Sequence, residues 1–116
     1  MRVLVTVEPR MYREALTLSL HQHRPEFEVR MAPPEAAEEQ LRSFRPHLLV
    51  RNDTDELGPE ALAEVPFRVE VMYSDSMDAK IVLDEREEEA KDASIDVLLR
   101  VADEAWRRLS AEDRAL

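Results

Sequence analysis

Through the first half of the chain, short apolar runs alternate with stretches that are apolar on one side only. Residues 2–7 (RVLVTV) are apolar and β-branched, the composition of a strand buried on both faces. Pro9 follows where a first helical turn tolerates it. Tyr12, Ala15, Leu16, Ser19 and Leu20 then recur at helical spacing over residues 10–23, and Met11 and Leu18 widen the stripe. Pro25 closes that helix. In residues 27–32 (FEVRMA) the apolar Phe27, Val29 and Met31 alternate with charged neighbours, the period of a half-exposed edge strand. Pro33-Pro34 opens a second helix with Glu35 in its first turn, where the helix dipole favours an acid. Its buried stripe is expected to be Ala37, Leu41 and Phe44. Pro46 ends it, and residues 47–51 (HLLVR) read as another buried strand. A β-α-β-α-β order with short links implies parallel strands joined by right-handed crossovers.

The pattern changes after Asn52. Residues 52–66 are a polar, proline-containing connection with room for one short helix over residues 59–64. Residues 67–73 (FRVEVMY) are a fourth strand and residues 80–84 (KIVLD) a fifth, with only residues 74–79 (SDSMDA) between them. A parallel crossover takes about a dozen residues or more, so these two strands are expected to pair as an antiparallel hairpin. The acidic run 85–92 reads as linker or solvated helical turn. Ile95, Leu98, Leu99, Ala102, Trp106 and Leu109 then mark a strongly amphipathic helix capped by Ser94, with residues 110–116 expected to fray. The expected architecture is one α/β domain over residues 1–116. Its three layers, α/β/α, surround a five-stranded, mostly parallel sheet of order 2-1-3-4-5 in which strand 5 is antiparallel.

Composition narrows the function classes. The net charge of −10 is unevenly placed: residues 1–51 carry 8 Arg and 7 acids, so the whole excess falls in residues 52–116. Nucleic-acid affinity comes largely from neutralising phosphates, and no Lys/Arg stripe with interleaved aromatics offsets this acidity. Nucleic-acid binding by this chain alone is therefore not expected. With no cysteine there is no disulfide framework or thiol chemistry, which fits a reducing, cytoplasmic location. No apolar run approaches the roughly 20 residues of a membrane span, and residues 1–10 read as a strand rather than a signal peptide.

Two segments carry a family resemblance. Residues 2–9 (RVLVTVEP) followed by residues 11–16 (MYREAL), and residues 45–52 (RPHLLVRN), resemble the receiver domains of bacterial response regulators. They match that family's first strand, acidic pair and opening helix, and its Arg-Pro-Asp-strand-Asp segment; residues 27–29 match its second strand. The resemblance covers under half of the chain and implies a flavodoxin-like fold. It also implies where receiver chemistry would sit. The family's Mg²⁺-holding acidic pair falls on Val7 and Glu8, so one acid is missing. Its phospho-accepting aspartate falls on Asn52, whose amide is not a carboxylate nucleophile. Its switch Ser/Thr has a counterpart in Ser74, while its lysine after strand five has none, since that strand ends Asp84-Glu85. The resemblance thus implies a degenerate pseudo-receiver, not phosphorylatable at the usual position and without a cofactor.

Other constellations add little. Asp53-Thr54-Asp55-Glu56 has the look of a phosphatase DxD, but Arg51 and Asn52 intervene after the strand and Leu57 stands where Thr or Val belongs. His21 and His23 lie about 200° apart around a helix and cannot share a metal; His47 stands alone. Glu8, Asp53, Asp55 and Glu56 are oxygen donors of the type a hard cation takes, though acidic loops are ordinarily just solvated. No Gly-rich turn follows strand one, and the only glycine is Gly58, so a phosphate-cradling loop is absent from the sequence. Two functions remain in view. The first is a non-catalytic interaction module, with a protein partner or as a homo-oligomer, touching through Met11, Tyr12, Leu18 and the edge near residues 69–73. The second is a small-molecule- or metal-binding enzyme. It would use Glu8, Asp53 and Lys80, the last brought by an antiparallel fifth strand to the carboxyl edge of the sheet, where Asn52 and Ser74 are further ligand candidates.

Overall fold

The computed structural model describes residues 1–72 and 78–115. Six strands form one sheet of order β2-β1-β3-β4-β5-β6. The strands are β1 (Arg2–Val5), β2 (Glu28–Met31), β3 (Leu48–Asn52), β4 (Phe67–Val71), β5 (Ala79–Leu83) and β6 (Arg86–Ala90). β2, β1, β3 and β4 are parallel; β4–β5 and β5–β6 are antiparallel. The helices are α1 (Arg10–His23), α2 (Ala37–Ser43, entered through a 3-10 turn at Pro34–Ala36), α3 (Pro59–Ala63) and α4 (Ile95–Ala115). The short helix α3 lies between β3 and β4, where the proline-containing connection predicts it.

Two hydrophobic layers explain why these elements stack. On one face Val3, Val5, Val50, Val69 and Ile81 pack under Leu16 and Leu20 of α1 and Leu98, Val101, Ala102 and Ala105 of α4. On the other, Leu4 and Leu49 pack under Leu41 and Phe44, with Leu57, Ala61 and Leu62 of the α3 region at the margin. Ala37, Leu41 and Phe44 are buried as their spacing predicts. Ser94 caps α4, its Oγ accepting the Val97 N–H at 3.4 Å.

Four expectations need correction. The sheet has six strands, because the acidic run folds back as β6 through a two-residue turn pairing Leu83 with Arg86. α4 continues through Ala115, past the point where the chain was expected to fray. Val69 and Val71 are core residues rather than surface contacts; Tyr73 and Ser74 lie outside the described residues. The buried side of α1 is Arg13, Leu16, Thr17 and Leu20, with Ala15 exposed. Arg13 is taken inside because its guanidinium reaches the Val7 carbonyl at 3.5 Å and the Glu8 carboxylate at 3.6 Å. Thr17 donates its hydroxyl to the Arg13 carbonyl at 2.8 Å.

With so little glycine, two non-glycine residues take positive φ: Arg45 (53°) after α2 and Asp84 (59°) in the β5–β6 turn. Left-handed backbone costs a non-glycine residue roughly 1–2 kcal/mol, and the position after a helix end is where glycine is usual. Arg45 contributes its carbonyl, which accepts Arg2 Nε at 2.9 Å, and a glycine keeps that bond. Arg45→Gly is therefore expected to raise stability by about 0.5–1 kcal/mol, read as a higher urea midpoint.

α1 is fastened to the α4 segment at both of its own ends. Tyr12 donates its hydroxyl to the Ala93 carbonyl at 2.7 Å, and burial, aided by Asp92, holds its phenol pKa above the ordinary value. Tyr12 is thus half-buried against the core rather than a free contact residue. At the other end Arg24 grips Asp103 through two bonds of 2.7 and 2.6 Å. Those bonds hold the Asp103 carboxyl below the usual carboxylate range against a smaller burial effect, with the Arg24 and Arg107 charges adding to them. A lowered folded pKa stabilises the fold above the unfolded value of about 3.9 and is lost as pH falls through the folded value. Asp103→Asn is expected to flatten the fall in melting temperature below about pH 4 relative to the native chain. An unchanged acid limb would remove this pair from the account.

Candidate functional site

Open α/β sheets bind ligands outside the carboxyl ends of their parallel strands, and here the ends of β1, β3 and β4 meet around Asn52. The apolar run that makes β3 a central strand buries this side chain. Asn52 Oδ1 accepts the Glu8 backbone N–H at 2.6 Å, and Nδ2 donates to the Val71 carbonyl at 3.4 Å. That same carbonyl accepts the Asp53 N–H at 3.1 Å. One amide therefore ties the loop after β1 to the end of β4. A carboxylate could make the first bond but has no proton for the second.

Glu8 meets Asn52 through its backbone N–H, and Asp53 follows Asn52 with its own N–H on the Val71 carbonyl. Glu8 is partly exposed and its carboxylate faces Arg13. Ser74 lies outside the described residues. Lys80 is not brought to the group. It sits opposite Glu70, and its Nζ is 3.2 Å from Glu87. Side chains alternate along a strand, so Lys80 belongs to the face of Arg51 and Glu70, whereas Asn52 belongs to the face of Val50 and Val71. β1 and β5 are also three strand spacings apart, about 14 Å. Nor does Lys80 guard an edge, because β6 pairs outside it.

What sequence reasoning missed is a buried ionic cluster one residue before Asn52. Arg51 is buried in mid-sheet. It donates Nε to Asp55 Oδ2 at 2.8 Å, Nη2 to Asp55 Oδ1 and Nη1 to Glu70 Oε2. Asp55 Oδ1 also accepts the Leu57 N–H at 3.1 Å, which shapes the turn into α3. Arg68 stands 3.7 Å from Glu70 and donates to the Leu62 and Val65 carbonyls, tying α3 down. Burial opposes the Arg51 charge, but the hydrogen bonds and fields of Asp55 and Glu70 outweigh it and lift the guanidinium pKa above its ordinary value. Charges inside apolar strand segments (Arg51 in HLLVR, Glu70 in FRVEV) are the signal that could have revealed it, since ions inside a sheet are paired. Across the sheet the row Arg51–Glu70–Lys80–Glu89 alternates in sign over four strands.

Asp55, counted among candidate oxygen donors, is occupied by Arg51. Among the described residues no three His, Asp or Glu side chains stand close enough to hold a metal ion. A cleft of about 220 Å³ is lined by Pro34, Glu35, Thr54, Asp55 and Glu56, and three of those five are acids. Of the surface residues singled out, Met11 and Leu18 are exposed on the outer ridge of α1. No described helix is long and apolar enough to cross a membrane.

Comparison with family models, curated proteins and solved structures finds no match. The chain stands as an α/β protein whose parallel 2-1-3-4 core is compatible with a flavodoxin-like arrangement and whose C-terminal part adds two antiparallel strands and a long helix.

Proposed function

We propose that this chain is a non-catalytic pseudo-receiver that works by binding another protein. The observation carrying this reading is Asn52. The position corresponding to a receiver's acceptor aspartate holds an amide committed on both sides, to Glu8 N–H and to the Val71 carbonyl. Separation of Lys80 from Glu8 and Asn52 tells against the enzyme alternative, which needs those groups on one ligand. The partner is a basic protein surface rather than a second copy, because the acidic half of a second copy would repel its own kind.

The test is a titration with Mg²⁺ and beryllofluoride, a phosphoryl mimic, followed by amide NMR. No saturable shifts are expected at residues 8, 52, 53 and 80. Saturable shifts confined to those residues would sink the interaction-only reading and restore ligand chemistry at the sheet edge.

A further inference from the structure

We propose that the free edge of β6 is the docking site, and that its occupant is an extended basic segment adding a seventh strand. This rests on the interaction-module reading and names the partner's form. In a hairpin closed by a two-residue turn, the residues flanking the turn exchange both hydrogen bonds, and pairs alternate from there. Starting from the Leu83–Arg86 pair, Arg86, Glu88 and Ala90 turn their backbone groups toward β5. Glu87 and Glu89 therefore turn theirs outward. Among the described residues β6 is the last strand of the sheet and none pairs outside it, so these N–H and C=O groups form a row that a further strand can continue.

Charge decides which strand. Residues 84–92 hold six acids against two bases. Glu87 is met by Lys80, and Glu88 lies 3.8 Å from Arg100. Glu89 and Glu85 have no ion pair among the described residues. A second β6 laid against the first would set glutamates beside glutamates, which is destabilising for directly opposed residues. An incoming strand with Lys or Arg at alternate positions meets the acidic row from one face while its backbone completes the ladder. The same charges keep the edge from pairing indiscriminately, so the device that protects it also selects its partner.

The probe is a ten-residue peptide alternating lysine and valine, added to the full chain at low salt with hydrogen exchange read by NMR. The Glu87 and Glu89 amides are expected to gain protection of about tenfold or more, while the reversed-charge peptide alternating glutamate and valine protects nothing. Non-specific attraction to an acidic surface moves resonances without protecting those two amides. Glu89→Pro removes one outward N–H and no ladder bond; it is expected to keep the fold and lose the protection. Should that variant fail to fold, Glu85→Lys with Glu89→Lys keeps the backbone and is expected to weaken binding at least about tenfold. The proposal is overturned by protection elsewhere, by equal binding of the variants, by dimerisation through β6, or by no protection at about 1 mM peptide. A silent peptide beside a silent Mg²⁺–beryllofluoride titration removes only the β6 site, whereas a positive titration removes the module reading itself.

Discussion

Arg51→Ala is expected to destabilise the protein by about 3–5 kcal/mol, because it strands Asp55 as a buried carboxylate without its cation and leaves Glu70 only the longer contact to Arg68. Both acids are largely out of solvent, and Arg51 is the group they share. Lys80 faces Glu70 in the sheet but is paired with Glu87. Against a total stability of about 5–15 kcal/mol for a domain, such a loss leaves little margin. Urea rather than guanidinium is the denaturant for the measurement, since a salt screens the interaction under study. Replacing the trio together, Arg51→Met with Asp55→Leu and Glu70→Leu, is expected to recover part of the loss, because Arg51 and both acids are removed at once while Arg68 gives up its ion partner Glu70. Some deficit remains, as Asp55 also accepts the Leu57 N–H. A loss under 1 kcal/mol for Arg51→Ala would mean that water or Arg68 satisfies the acids, and that the cluster is incidental to the fold.

The second large effect belongs to Asn52→Asp, the change that restores a receiver's acceptor residue. The new carboxylate still accepts the Glu8 N–H, but its other oxygen confronts the Val71 carbonyl with no proton between them. The cost at neutral pH is expected to be about 1–3 kcal/mol, that of a buried polar pair left unsatisfied. Protonating the carboxyl restores the missing donor, so its folded pKa lies above the unfolded value near 3.9. A raised acid pKa leaves the variant unpenalised below the unfolded value and fully penalised above the folded one. The variant is thus expected to approach the native chain in stability near pH 4 and to fall behind it at pH 7. That is the reverse of the acid-limb behaviour expected from Asp103. A neutral substitution at all pH values would show that the amide is not a cross-link and would reopen phosphorylation at this position.

Both predictions concern adjacent residues of β3, and they show how unevenly the site was legible. Asn52 was singled out from a local resemblance, because the family's motif sets the acceptor at the end of an apolar strand. Its role as a cross-link was not legible, because Glu8 and Val71 lie far from it in sequence and only strand order brings them to one amide. Arg51 was read as the end of a strand and Asp55 as one acid in a polar loop. The chain between them folds back, and Glu70 arrives from the neighbouring strand to complete the cluster.

β6 was missed for a different reason. Arg86-Glu87-Glu88-Glu89-Ala90 has no apolar alternation, and its turn uses Asp84-Glu85 where Asn-Gly or Asp-Gly would have announced a hairpin. Its strand conformation comes from pairing with β5, with Ala90 alone packing against the core. The misplacement of Lys80 follows from the same omission, since without β6 there was neither Glu87 to hold it nor a strand outside it.

The sequence by itself determined the parallel β-α-β-α-β core, the short α3, the β4–β5 hairpin and the amphipathic α4. Each of these depends on hydrophobic period and connection length, which are local properties of a chain. Tertiary structure alone decided the partners of charged and polar groups: Asn52 across three strands, Arg51 between Asp55 and Glu70, Lys80 with Glu87, and the outward row of β6. A polar side chain inside a protein takes whichever partner the fold brings within about 3 Å, and that distance is fixed by register between strands rather than by spacing along one.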